Sequence, residues 1–366
     1  MIRAAHVAVL LFLTGSILLT CSNDQPPAPS VTPAPDTTSH EIAWTTDVVG
    51  DAECTLLGLF TIDDSIVYAV GTLLKRDSTG KLDLNPYNAA RWDGKSWTAL
   101  RIPVLQCGTF VTDPIYIQAG FGFSENRIHL FPPGPLVEMT DSGYRYDCSL
   151  QFNIYGPTRS VFPYSNDDYY LIGDKGIVVH WDGKTFTREE TRVQWETKDI
   201  YGNEQELWAV AGTPSDYKGG VLHKKRSGAW VAVDSLSDAG TRSVNSVWCD
   251  ARPFEENGFV IFAGRGIWYR DTTWKRPPPN VTGGYLGLGN LYFSSVRGTA
   301  SNDVFACGDF DIVVHFNGRN WHFYKELFKY PGGGILGSIA FTKHDVFITG
   351  GAYSDGVGRI IHGKRR

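Results

Sequence analysis

Four histidines stand at matching places in this chain. His180, His223, His315 and His362 each close a short apolar run, reading IVVH, GVLH, IVVH and RIIH. Imidazole nitrogens bind zinc at about 2 Å, so a metal is the first chemistry to test. Recurrence at one place in a repeat argues against it. Equivalent side chains point the same way around a ring, and stacked sheets lie about 10 Å apart. Each histidine is expected instead to hydrogen-bond a neighbouring backbone group where two repeats meet. Asp168, Glu206, Asp303 and Asp345 recur just before apolar runs. Their expected work is in turns, where Asp bonds its own backbone. The sequence holds no Walker loop, no G-x-S-x-G, no C-x-x-C and no H-E-x-x-H. No catalytic residue, metal or cofactor is assigned.

The elements that must position these residues are clearest in Ser295–Trp321, SVRGTASNDVFACGDFDIVVHFNGRNW. Ser295–Gly298, Val304–Gly308, Ile312–Phe316 and Arg319–Phe323 read as four short strands, the third rich in β-branched residues. Asn317-Gly318 is expected to supply the two positive-φ positions of a type I′ hairpin. A four-stranded sheet this small cannot bury both faces alone and must stack on copies of itself.

The copies are present. Strands ending in Gly or its substitute fall at Gly71, Phe131, Gly173, Gly212, Gly264, Gly308 and Gly350, about 46 residues apart, the period of a propeller blade. Hairpins recur as WDGKSW at 92–97, WDGKTF at 181–186 and FNGRNW at 316–321, with looser forms ending at Tyr144, Trp230 and Trp274. Fourth-strand aromatics number six: Trp97, Tyr144, Phe186, Trp230, Trp274 and Trp321. The seventh repeat ends at His362 with four residues to spare, and its aromatic strand stands at the other end, as Glu41-Ile42-Ala43-Trp44-Thr45. The fold class is therefore all-β: a seven-bladed β-propeller whose N-terminal strand closes the last blade and removes the open sheet edges.

The pattern S-V-x-G-T-x-x-N-D-V-x-A-x-G…I-x-x-H-[FYW]-[DN]-G-x-x-W resembles the blade repeat of secreted and lipid-anchored bacterial β-propeller proteins. It is strongest in blade six, partial in blades one, three and seven, and weak in blade two. The resemblance speaks for fold and is nearly silent on activity. Arg101-Ile102-Pro103 resembles the Arg-Ile-Pro motif of sialidases, also propellers, whose Arg pairs with a substrate carboxylate. The sialidase Asp-box has no clear copy here, and no Tyr nucleophile with a partner acid can be assigned.

The chain has 366 residues, a net charge of −5, and 40 glycines with 11 tryptophans, suited to many tight turns and aromatic-filled sheets. The mild acidity gives no reason to expect nucleic acid. Arg3 and His6 precede an apolar run, Val7 to Leu19, too short to span a bilayer comfortably and like a signal-peptide core. Leu18-Leu19-Thr20-Cys21 resembles the bacterial lipobox, which implies acylation of Cys21, and Ser22 in place of Asp implies the outer membrane. Ser22 to His40 is rich in Pro, Ser and Thr and reads as an extended tether. The domain plan is a lipoprotein signal peptide at 1–20, a tether at 21–40 and a propeller at 41–366.

Of the six cysteines, Cys54, Cys107 and Cys148 fall near the starts of successive blades, where one bridge can form in an oxidising compartment. Cys249 and Cys307 lie inside strands and read as small buried hydrophobes.

The long connections all fall on one propeller face. They are the second-to-third-strand pieces of blades one, four and seven, and the pieces from Lys275 to Leu291 and Tyr324 to Gly337. They carry Arg76, Tyr87, Tyr217, Tyr285, Tyr330 and Tyr353, residue types that dominate interface hot spots. The reading is a lipid-anchored envelope module that binds a protein or glycan partner without catalysis. The alternative is a glycan-active propeller, either lectin or sialidase-like glycoside hydrolase.

Overall fold

The computed structural model describes residues 37–63, 65–108, 112–113, 115–150, 156–212, 219–235, 244–256, 258–270, 274–275, 291–329, 332–351 and 353–366. Tyr217, Tyr285, Tyr330 and Cys21 lie outside them.

The described strands build seven four-stranded sheets and one two-stranded ribbon. Six blades take their four strands from consecutive stretches, 52–100, 119–147, 160–189, 196–235, 244–275 and 293–323. The seventh holds Leu336–Phe341, Asp345–Gly350 and Gly358–Arg365, and is completed by the N-terminal strand Ile42–Gly50. That strand pairs antiparallel with Gly358–Arg365, from Ile42 opposite Arg365 to Gly50 opposite Gly358. The fold expected from the repeat count is the fold observed.

Sequence alternation puts apolar side chains on both faces of each sheet, so every blade needs a neighbour on each side. Among the described residues there are seven hydrophobic clusters, one at each blade junction. The closing junction, blade seven against blade one, packs Val49, Leu56, Val67, Leu73, Trp92, Phe347 and Ile360. Phe293, Phe305 and Phe347 are fully buried, each contributing roughly 1.5–3 kcal/mol by leaving water.

The recurring glycine at the end of the second strand has a steric cause. Five first strands carry a β-bulge, with Leu57, Lys198, Asn245, Ser294 and Gly337 as the extra residue. The bulge presses backbone onto the neighbouring strand. A Cβ at Gly308 would overlap the carbonyl oxygen of Tyr292, one at Gly71 that of Thr55, and one at Gly350 that of Ile335. Blades two and three pair Ala119 with Phe131 and Ser160 with Ile172 with no bulge there, and large residues fit.

Two expectations about connections need correction. The third-to-fourth-strand turns are not two-residue type I′ hairpins. Phe316 pairs with Trp321, Trp92 with Trp97 and Trp181 with Phe186, which leaves four loop residues in each. Gly318, Gly94 and Gly183 have positive φ, but Asn317, Asp93 and Asp182 do not. Their Oδ1 atoms instead accept the amide N–H groups two and three residues on, at 2.8–3.0 Å. The connection over Thr72–Asn88 is largely not a loop either. The second and third strands of blade one continue as a paired arm out to Arg76 opposite Leu82.

A ribbon that sequence reading left out, Val104–Leu105 with Thr112–Asp113, lies between blades one and two. Beyond it, Cys107 bridges to Cys148, clipping two successive blade connections together. Cys54, Cys249 and Cys307 are free and buried.

Candidate functional site

The first strands of all seven blades stand around a central cavity of about 510 Å³. At its mouth each blade contributes one residue: Leu57, Gln118, Arg159, Lys198, Asn245, Ser294 and Gly337. Five of the seven are the bulge residues described above. The bulge turns one extra side chain toward the axis, and the strand's own alternation resumes below it. The rim lies at the starting ends of the first strands, the same face that carries the long connections. Its chemistry changes from blade to blade. Arg159 is held by Asp174 Oδ1 at 2.7 Å and lies 3.7 Å from Glu196, which also pairs with Lys198. Leu57 is 42 % exposed.

Deeper in, Arg297 of blade six reaches past blade five to Asp199 of blade four with a two-pronged contact of 2.7 and 2.8 Å. Asp199 also accepts Ser160 Oγ at 2.9 Å, Ser246 Oγ at 2.5 Å and the amides of Ile200 and Val247. One carboxylate of blade four thus binds side chains of three other blades. Burial alone would lower the Arg297 pKa, but Asp199 more than reverses that and holds the guanidinium above its ordinary value. Opening such a pair leaves one buried charge without compensation, a loss of about 3–5 kcal/mol.

The repeated histidines do not bond neighbouring backbone, and the repeated acids do not simply cap their own turns. They meet each other. His180 lies 2.8 Å from Asp168, His223 2.9 Å from Glu206, His315 3.1 Å from Asp303 and His362 3.1 Å from Asp345. The acid opens the second strand and the histidine ends the third, so the antiparallel register brings them to one edge of the blade. Opposite each histidine in the ladder an aromatic ring, Tyr170, Trp208, Phe305 or Phe347, packs 4.2–4.4 Å from the imidazole. Asp303 additionally takes both Arg365 nitrogens at 2.7 Å. Burial pushes the Asp303 carboxyl pKa up, yet His315, Arg365 and Thr299 together hold it far below the usual carboxylate range. Among the described residues no group of three or more His, Cys, Asp or Glu is arranged to hold a metal ion.

Three of the six binding candidates lie in described parts. Arg76 is exposed at the end of the blade-one arm and donates to the Gly80 carbonyl at 2.9 Å. Tyr87, on the same arm, carries the Arg101 guanidinium stacked 3.8 Å from its ring centre. Tyr353 is buried, with Arg359 4.8 Å from its ring. Burial, with the Asp311 carboxylate, raises its hydroxyl pKa. These residues do not converge on one point. Arg101 follows the fourth, outer strand of blade one, where it pairs with Asp83 and donates to Asn85 O at 2.9 Å. It is not among the cavity-lining residues. The rim residues escaped sequence reading. The available signal was the second-strand glycine, which faces the bulge in four blades, at Gly71, Gly264, Gly308 and Gly350, while Ala211 stands there in blade four.

With this geometry in hand, comparison with known proteins shows the fold. No protein-family model matches the sequence, and no curated protein matches it. Among solved structures, YCF48 bound to a D1 peptide superposes with a TM-score of 0.61 at 15% identity, over 89% of this chain and 96% of that one. YCF48 from Cyanidioschyzon merolae gives 0.59 at 12%, over 88% and 98%. The WD40 β-propeller domain of Doa1 gives 0.55 at 11%, over 89% and 98%. The chain is a β-propeller of the shape these proteins share.

Proposed function

We propose that this is a non-catalytic binding propeller, lipid-anchored in the outer membrane, that holds a protein partner on the face where the central cavity opens. The observation that carries the reading is the rim. A near-symmetric scaffold ends in seven chemically different residues, with Leu57 on one side and Arg159 and Lys198 on the other. Such a rim distinguishes one orientation of an extended chain from the reverse. YCF48, of similar shape, has been solved with a D1 peptide bound.

The entry point of the chain agrees with this use. Thr38 Oγ1 donates to the carbonyl of Asn302, in a first-to-second-strand turn. Residues 38–41 therefore lie on the face opposite the rim. The chain thus enters on the face that leaves the rim clear for a partner.

A photocrosslinking residue at Asn245 should label an envelope protein in intact cells, whereas one at exposed Val231, on the outer strand of blade four, should not. Arg159→Glu with Lys198→Glu should lower the yield about tenfold, some 1.4 kcal/mol. Equal labelling from both positions would count against the reading, as would a yield unmoved by the double substitution.

A further inference from the structure

The segment that leads into the closing strand makes a contact outside both the cavity and the strand ladder. His40 Nδ1 lies 2.9 Å from His315 Nδ1, and His40 Nε2 lies 3.2 Å from Asn320 Oδ1. The two imidazoles meet edge to face at 4.8 Å, and the His322 ring lies roughly parallel to that of His40 at 5.1 Å. Tyr324 donates its hydroxyl to the His40 carbonyl at 3.1 Å.

The network assigns the protons. Asp303 is ionised and held by Arg365, so His315 Nε2, 3.1 Å from its Oδ1, carries a hydrogen. Neutral His315 then presents a bare Nδ1. The hydrogen in the 2.9 Å gap belongs to His40 Nδ1. His40 Nε2 is left bare and accepts from Asn320 once that amide turns its nitrogen inward. One added proton can sit on His40 Nε2, with Asn320 turned back. A second cannot be placed, because both nitrogens in the gap would carry hydrogen. The surrounding groups oppose it as well. Arg365 stands behind His315 and His322 lies beside His40. Asp303, already engaged by Arg365, is the only carboxylate facing the pair among the described neighbours, while Glu326 lies behind Tyr324.

We propose that His40 and His315 form an acid-released latch that fixes where the tether leaves the propeller. Protonating both rings breaks the pair and frees residues 37–40 from blade six, while the closing strand from Ile42 stays zipped. The freed residues 37–40 lengthen the tether by up to about 13 Å. Burial, with the charges of His315 and His322, holds the His40 pKa below its ordinary 6.5. Burial does the same for His315, outweighing Asp303. A group whose pKa is depressed in the folded state stabilises above its unfolded value and loses that contribution as pH falls. The latch is therefore closed at pH 7.5 and opens as pH falls below about 6.5. This inference does not depend on what binds at the rim.

Spin labels on Ser39→Cys and Arg319→Cys, both exposed places, test it on the full chain. The distance distribution should be narrow at pH 7.5 and broaden to longer values, by roughly 5–13 Å, at pH 5.0. Labels on Thr46→Cys and Arg319→Cys should stay narrow at both. His40→Gln should leave the first pair broad at pH 7.5 as well. A narrow first pair at pH 5.0 overturns the proposal. So does broadening of both pairs together, or a His40→Gln protein that is narrow at pH 7.5.

Discussion

In blade six the second strand opens with Asp303 and the third carries His315. In blade two the same two places hold Arg127 and Glu138, 3.3 Å apart. The acid and the base have changed places. The ring beside them has changed too: Phe305 opposite His315 in blade six, His129 opposite Glu138 in blade two. His129 is buried, and neither of its ring nitrogens has a hydrogen-bond partner. Blade two also has Phe131 where blade six has Gly308, and no bulge beside it. What blades two, three, four, six and seven share is therefore not a set of residues but a physical arrangement: an acid and a base in contact at a hairpin edge, with a flat ring packed beside them. The arrangement survives the exchange because an acid and a base attract from either strand. It tolerates an uncharged imidazole as the ring because only the shape is used.

The contrast predicts unequal sensitivity. Asp303→Ala leaves half-buried Arg365 without its counter-charge and buried His315 without its acceptor, and should cost about 3–5 kcal/mol. Glu138→Gln, whose partner Arg127 also reaches Asp167 at 2.8 Å, should cost about 1–2 kcal/mol. Urea denaturation of the two variants checks this, and equal losses would break the distinction. A second difference is covalent. The connections on both sides of blade two are joined by Cys107–Cys148, across a sequence separation of 41 residues. Cys107→Ser with Cys148→Ser should cost roughly 2–4 kcal/mol. Proteolysis should then cut first at the connections flanking blade two and leave blade six intact.

A third difference shows only in acid. Burial lowers the His129 pKa to about 4, against an ordinary 6.5. The unfolded chain binds the proton first, so stability is full above about 6.5 and falls as pH drops toward 4, by about 3 kcal/mol. His129→Phe, which restores the ring type of blade six, should flatten that part of the stability-versus-pH curve. An unchanged slope would show that another group sets it.

Much of this molecule was legible in order along the chain. The strands, the outer aromatics and the closing role of Trp44 show as periodic local signals. Each can be read within one repeat. The turns were misread because Asp-Gly and Asn-Gly suit two kinds of loop. The choice depends on whether the Asp or Asn side chain turns back to accept amide hydrogens. The histidines were misassigned because their partners stand 12 or 17 residues earlier, on another strand. Spacing without a register cannot say which residues share an edge.

The amino-acid sequence by itself determined the number of blades, their order and the way the ring closes, since a blade that cannot cover its own faces leaves one solution. Only the tertiary structure decided what lines the mouth and which charges meet. Leu57, Gln118, Arg159, Lys198, Asn245, Ser294 and Gly337 are far apart in the chain and become neighbours only when seven first strands stand around one axis. Likewise, His40 meets His315 only because the first strand of the chain is paired with the last.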